Sequence, residues 1–220
     1  MQNWQRGLYV ITDPELIADR DWVTQVEAAI AGGATLIQYR DKDATAAQRL
    51  ERARALLACC RAHEVPLLIN DDVALAAAVG TDGVHLGRDD AALAEARRQL
   101  GPRAIIGVSC YNQLPRALAA AEAGADYVAF GRFFPSRSKP LAVQAEVDLL
   151  RRARQELNIP VAAIGGITAD NGAALIAAGA DLLAVIHGVF GQPGVAAAAR
   201  RLAGLFEHES VKRKREACGV

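Results

Sequence analysis

Aromatic residues are scarce, at 5% of a 220-residue chain. A hydrophobic fraction of 52% must therefore be carried mainly by Ala, Val, Ile and Leu, and the core is expected to be aliphatic. Cysteines are also few. The four, Cys59, Cys60, Cys110 and Cys218, form no Cys-x-x-Cys pair, and two of them are adjacent. That pattern argues against a disulfide framework or a zinc site and fits a reducing compartment. Net charge is zero, so no global field draws nucleic acid or an anionic membrane, and any anionic ligand must be held by local charge. Long apolar runs are missing as well: the longest are of strand length, and none follows Met1-Gln2-Asn3-Trp4-Gln5-Arg6. Neither a signal peptide nor a membrane span is expected, and a cytoplasmic location is.

What the chain does have is alternation. Short β-rich runs lie at Leu8–Thr12, Thr35–Arg40, Leu67–Asn70, Gly83–Leu86, Ile105–Ser109, Tyr127–Gly131, Val161–Ile164 and Leu182–Ile186. Helical stretches rich in Ala, Leu and Arg lie between them, such as Ala46–His63, Ala91–Leu100, Gln113–Ala123 and Val143–Leu157. Alternating β and α elements imply a parallel sheet, and eight such units in one chain imply closure into a single (β/α)8 TIM barrel of the α/β class. A degenerate repeat supports this. Ala31-Gly32-Gly33-Ala34, Gly80-Thr81-Asp82-Gly83, Ala123-Gly124-Ala125-Asp126 and Ala178-Gly179-Ala180-Asp181 precede the second, fourth, sixth and eighth strands. In each, a glycine able to adopt positive φ ends a helix. Residues 1–206 are expected to form the barrel. Residues 207–220, with the charge run Val211-Lys212-Arg213-Lys214-Arg215-Glu216, are expected to be a disordered, solvated tail.

Sites in such barrels form where strands end. The second strand ends in Gln38-Tyr39-Arg40-Asp41-Lys42, which offers a guanidinium and an ammonium to an anion. The third ends in Asn70-Asp71-Asp72, and Arg88-Asp89-Asp90 follows the fourth. Neighbouring strands lie about 4.8 Å apart, so carboxylates from both loops can converge on a hard cation such as Mg²⁺. Asp72, and Asp89 or Asp90, can equally serve as helix caps. Ile164-Gly165-Gly166-Ile167 and Val185-Ile186-His187-Gly188 place glycine turns after the seventh and eighth strands, where backbone amides commonly hold phosphate. Ser109 ends the fifth strand, and Ser136, Arg137, Ser138 and Lys139 follow the sixth. Cys110 has no adjacent histidine to activate it, His85 reads as a hydrogen-bonded structural residue, and Tyr9 and Tyr127 read as core or lining aromatics.

Taken in order, Gly7-Leu8-Tyr9-Val10-Ile11-Thr12-Asp13, Gln38 to Lys42, Ile69-Asn70-Asp71, Gly83-Val84-His85-Leu86-Gly87, Gly107-Val108-Ser109, Gly131 to Pro140, and the two glycine turns resemble the thiamine-phosphate synthase family. The resemblance runs to about Phe206. It implies a Mg²⁺-dependent transferase that joins hydroxymethylpyrimidine diphosphate to hydroxyethylthiazole phosphate, giving thiamine monophosphate and diphosphate by a dissociative displacement. It implies that Gln38, Arg40, Lys42, Asn70, Ser109 and Lys139 hold the pyrimidine diphosphate, with Arg40, Lys42, Ser109 and Lys139 aiding its departure. Asp71 and Asp90 would bind Mg²⁺. Ser136, Ser138, Gly166, Ile186 and His187 would hold the thiazole phosphate. The chain departs from the family pattern at His187, Asp72 and Tyr111. The alternatives are a thiazole tautomerase or a regulatory phosphometabolite-binding barrel. Neither needs a diphosphate site, and so neither needs the cations and carboxylates together.

Overall fold

The computed structural model describes residues 3–17, 22–87, 90–135 and 143–217, with side chains described for all of these except 90, 91 and 208–217. Strand and helix alternate along the chain. The first half runs β1 (Gly7–Ile11), α1 (Trp22–Ala31), β2 (Ala34–Tyr39), α2 (Ala46–Ala62), β3 (Leu67–Asn70), α3 (Val73–Val79), β4 (Gly83–Leu86) and α4 (Asp90–Leu100). The second half runs β5 (Ile105–Tyr111), α5 (Leu114–Glu122), β6 (Tyr127–Gly131), α6 (Asp148–Glu156), β7 (Val161–Ile164), α7 (Gly172–Ala178), β8 (Leu182–Val185), α8 (His187–Phe190) and α9 (Val195–Ala217). Each strand pairs in parallel with the next and β8 pairs with β1, so the sheet closes into the expected (β/α)8 barrel.

Two segments differ from the sequence reading. The helix expected over Val143–Leu157 begins only at Asp148. Residues 143–146 before it belong to no helix or strand, and two of them pair with the residue that follows β6: Arg132 N–H donates to Val143 O at 3.0 Å and Ala145 N–H to Arg132 O at 2.8 Å. The charged segment expected as a disordered tail from 207 continues α9 as far as Ala217. Extending a helix that tertiary packing has already nucleated costs little, and Lys, Arg, Glu and Ala are good helix formers.

Alternation along each strand divides the core in two. Outward residues such as Leu8, Val10, Ile37, Ile69, Ile106, Val128 and Leu183 pack under the helices in a mostly aliphatic layer. The innermost layer is more aromatic than the composition suggests, and Tyr9 and Tyr127 lie in it as core residues, in line with the sequence reading. It gathers Trp4, Tyr9 and Tyr127 with Leu36, Leu68, Ala129, Ala162 and Ala184. Tyr127 meets Tyr9 edge-on at 5.8 Å and Trp4 at 6.1 Å between ring centroids. The rings fit because their neighbours are small: a Cβ on Gly107 would lie 2.0 Å from the Tyr127 ring.

The repeat also has a physical function. Gly33, Gly80, Gly124 and Gly179 all have positive φ, between 73° and 120°, which lets each helix stop and the chain turn into the next strand. The aspartates that follow three of them hold the amino-terminal rim. Asp82 accepts from Leu67 N–H at 2.9 Å, Asp126 from Ile106 N–H at 2.8 Å, and Asp181 from Val161 N–H at 3.1 Å. Each binds the first amides of the preceding strand, where the ladder leaves donors unmatched. Asp181, 9% exposed, also faces Arg6 at 3.9 Å and Arg154 at 3.7 Å. Asp181→Ala should destabilise the fold by about 1–3 kcal/mol by leaving a buried N–H without an acceptor. Urea unfolding should show a lower midpoint with an unchanged slope, and a midpoint equal to that of the parent would remove this role.

Candidate active site

The carboxyl ends of the strands open on a cavity of about 540 Å³, within the range of small-molecule sites. Gln38, Arg40, Lys42, Asn70, Asp71, Ser109, Gly166, Ile186 and His187 all line it. Nine residues singled out in the sequence thus come from β2, β3, β5, β7 and β8 to one rim. Ser136, Ser138 and Lys139 lie outside the described residues, and Asp90 begins α4 with its side chain outside them.

The loop after β2 is built to present its cations. Arg40 N–H donates to Thr12 Oγ1 at 2.8 Å, and the Thr12 hydroxyl donates back to Arg40 O at 3.1 Å, tying this loop to the end of β1. Asp41 is buried, accepts from the backbone N–H groups of Asp43 and Ala44, and holds Arg52 at 2.5 Å. Its charge is therefore spent on α2 and not on Lys42. A capping box between Thr45 and Gln48 then starts α2. Among the described residues, neither Arg40 nor Lys42 forms an ion pair, whereas Arg49, Arg52, Arg97 and Arg154 each face a carboxylate. Two cations without carboxylate partners on one concave surface give it a local charge that attracts anions.

The end of β3 separates two adjacent carboxylates. Asp72 accepts from Leu75 N–H at 2.9 Å as the N-cap of α3 and faces Arg49 at 3.4 Å. Asp71 has φ 60°, in the left-handed region that is uncommon outside glycine but better tolerated by Asp, and its N–H is pinned to His85 O at 2.9 Å. Its carboxylate accepts from the Asn70 amide at 2.7 Å and lines the cavity. Among the described residues no three His, Cys, Asp or Glu side chains group as a metal cage. Mg²⁺ does not require one, since it takes one or two carboxylates with substrate oxygens and water, so the donor set here fits that ion.

Glycines shape the opposite wall. Gly165 and Gly166 have φ 104° and 65°; a Cβ on the first would lie 2.3 Å from the Arg132 Cβ, and on the second 2.3 Å from Pro135 O. The Asn171 amide donates to Gly166 O at 3.0 Å and fixes this turn. A Cβ on Gly188 would strike Ile167 O at 2.5 Å. Close approach of backbone to a ligand is possible here because no side chain intervenes.

Sequence reasoning missed several lining residues: His85, Tyr111, Arg132, Thr168 and Gln192. Arg132 directly follows β6, so the strand-end rule would have found it. Tyr111, one of the departures from the family pattern, has φ 55° and follows a register shift between β5 and β6 after Ser109. His85 is hydrogen-bonded, as its sequence context suggested, but to Ser109 and Tyr127, both at 2.8 Å, and from within the cavity wall.

Fold and cavity define the class: a (β/α)8 barrel with a cavity at its carboxyl rim lined by Arg40, Lys42 and Asp71. The thiamine monophosphate synthase model matches residues 8–189, and the chain belongs to that family, a family of transferases in thiamine biosynthesis. The thiamine-phosphate synthase of Thioalkalivibrio sulfidiphilus is 55% identical over 203 residues, covering 92% of this chain and 96% of its own. That of Nitrosococcus oceani is 52% identical, covering 88% and 89%. A solved thiamine phosphate pyrophosphorylase from Pyrococcus furiosus superposes with a TM-score of 0.85 at 36% identity, covering 94% of this chain and 98% of that one.

Burial holds three phenols neutral. Desolvation raises Tyr9, Tyr127 and Tyr39 above the ordinary phenol value of 10.0, and Asp41 adds to the effect at Tyr39. A raised folded value stabilises the fold fully below the unfolded value and loses that contribution as pH climbs from there towards the folded value. Absorbance at 295 nm should therefore show Tyr9, Tyr39 and Tyr127 protonated at about pH 11 in the folded protein, with stability falling above about pH 10. Ionisation of all tyrosines at pH 11 without unfolding would contradict this burial.

Proposed function

We infer that this chain is a thiamine-phosphate synthase: it joins 4-amino-2-methyl-5-(diphosphooxymethyl)pyrimidine to hydroxyethylthiazole phosphate, releasing diphosphate. The observation that carries the reading is the cavity itself. It sets Arg40 and Lys42, without carboxylate partners among the described residues, beside Asp71 and opposite the glycine turns. Cations and a carboxylate side by side suit a diphosphate that arrives with a divalent ion, and the glycine turns suit a phosphate monoester.

The chemistry demands little acid–base work. The C–O bond to diphosphate breaks with its electron pair leaving on oxygen, and the thiazole nitrogen then donates a pair to the pyrimidine methylene carbon. The amino group of the pyrimidine ring stabilises the developing cation. Arg40, Lys42 and Lys139 take up charge on the departing oxygens, and Ser109 donates a hydrogen bond to them, in a cavity where preorganised donors act strongly. Asn70 orients Asp71, and Gln38 reaches the pyrimidine. Gly166, Ile186 and His187, with Ser136 and Ser138, hold the thiazole phosphate so that its nitrogen meets the carbon. Asp71 and Asp90 would hold Mg²⁺, which supplies charge neutralisation of the diphosphate when bound. Among the described residues no helix is long and apolar enough to cross a membrane. We place the reaction in the cytoplasm.

Both substrates with Mg²⁺ should yield diphosphate in an amount that depends on the thiazole. Diphosphate formation indifferent to the thiazole, or none at all, would reject the reading. Asp71→Ala should raise the Mg²⁺ concentration for half activation by about tenfold or more, and an unchanged half-activation point would remove Asp71 as a ligand.

A further inference from the structure

The cavity floor continues into the barrel as a chain of hydrogen bonds that five strands supply. Gln38 on β2 donates from its amide nitrogen to the Tyr9 hydroxyl on β1. Tyr9 and Tyr127 hydroxyls are 2.8 Å apart, across from β1 to β6. The Tyr127 hydroxyl is 2.8 Å from His85 Nδ1 on β4, and His85 Nε2 is 2.8 Å from Ser109 Oγ on β5. Tyr9 is 1% and Tyr127 0% exposed, so bulk solvent does not reach either hydroxyl.

Counting protons fixes the sense of the chain. Each neutral phenol has one proton to give, and an amide nitrogen only donates. Tyr9 oxygen accepts from Gln38, so the Tyr9 proton goes to Tyr127. The Tyr127 proton then goes to His85 Nδ1, which must be bare. A proton on Nδ1 would leave the buried Tyr127 proton without an acceptor among the described residues. The ring proton therefore sits on Nε2 and is donated to Ser109 Oγ. With its oxygen accepting from the ring, Ser109 turns its own proton into the cavity. In the opposite sense Ser109 would donate to His85 and present only lone pairs, which repel an anionic oxygen.

We propose that Tyr127 and His85 are positioning residues that fix Ser109 as a hydrogen-bond donor toward the departing diphosphate. The proposal rests on the diphosphate reading of the cavity and adds the residues that set its donor. A donor of fixed direction needs no reorientation as charge builds on the leaving oxygen, so its loss falls on kcat more than on KM. Tyr127→Phe keeps the ring and its packing but removes the proton that Nδ1 accepts.

Two measurements test this. In protein labelled with ¹⁵N-histidine, long-range ¹H–¹⁵N correlation reads each ring's tautomer, and the loss of one set of signals in His85→Gln identifies His85. The expected form near neutral pH is the Nε2–H tautomer; the Nδ1–H tautomer or the imidazolium overturns the proposal, whether or not any Tyr127 variant folds. In the kinetic cycle, Ser109→Ala should lower kcat about tenfold or more, and Tyr127→Phe about fivefold with KM for both substrates within about twofold. Tyr127→Phe added to Ser109→Ala should cost less than about twofold further, because its effect passes through Ser109. The full loss repeated in the double variant, or no loss in Tyr127→Phe, overturns the relay and leaves the diphosphate site standing. Unchanged kcat in Ser109→Ala removes Ser109 from the diphosphate site and the relay's purpose with it.

Discussion

A closed barrel of parallel strands has one rim at which every strand ends, and the chemistry here depends on that constraint. Residues distant in sequence meet because the closure of eight short strands leaves them nowhere else to go. What they enclose is set by the filling of the barrel. Trp4, Tyr9 and Tyr127 occupy the interior below the rim. The cavity thus has a solid floor, and because two of the filling rings carry hydroxyls, that floor is wired by hydrogen bonds to the residues above it.

The two rims divide the charged residues between stability and binding. At the amino-terminal rim Asp82, Asp126 and Asp181 accept from strand amides, and Asp126 and Asp181 also meet arginines. At the carboxyl rim the division is finer. Asp41 and Asp72 are committed to Arg52 and to a helix cap with Arg49, while their neighbours Arg40, Lys42 and Asp71 line the cavity. Committing every second charge to structure keeps the remaining charges from neutralising one another at close range.

The barrel was legible because its signals are local. Short β-rich runs, glycine turns at Gly33, Gly80, Gly124 and Gly179, and strand-end clusters such as Gln38-Tyr39-Arg40-Asp41-Lys42 are each read within a few residues. The late start of α6 was not, because Val143 and Ala145 pair with Arg132 rather than following their own helical propensity. Nor was the continuation of α9 to Ala217, where a charge run reads alike as a solvated coil or a solvated helix. That Tyr9 and Tyr127 are core or lining aromatics was legible, but their gathering with Trp4 inside the barrel was not, since composition counts rings without saying where they gather. The line from Gln38 to Ser109 is the least legible feature: its five members sit on five strands, and only the register of the closed sheet brings them together. Asp72 and Asp71 show the same limit, since adjacent identical residues take opposite roles through one backbone angle.

The account stands on the claim that the cations of the second strand and Asp71 gather a diphosphate at the carboxyl rim. A crystal structure with Mg²⁺ and inorganic diphosphate tests it most directly. The account requires phosphate oxygens within about 3 Å of the Arg40 and Lys42 nitrogens and a metal ion on Asp71. Diphosphate seated away from these residues, with Arg40 and Lys42 facing solvent and no metal on Asp71, would contradict it.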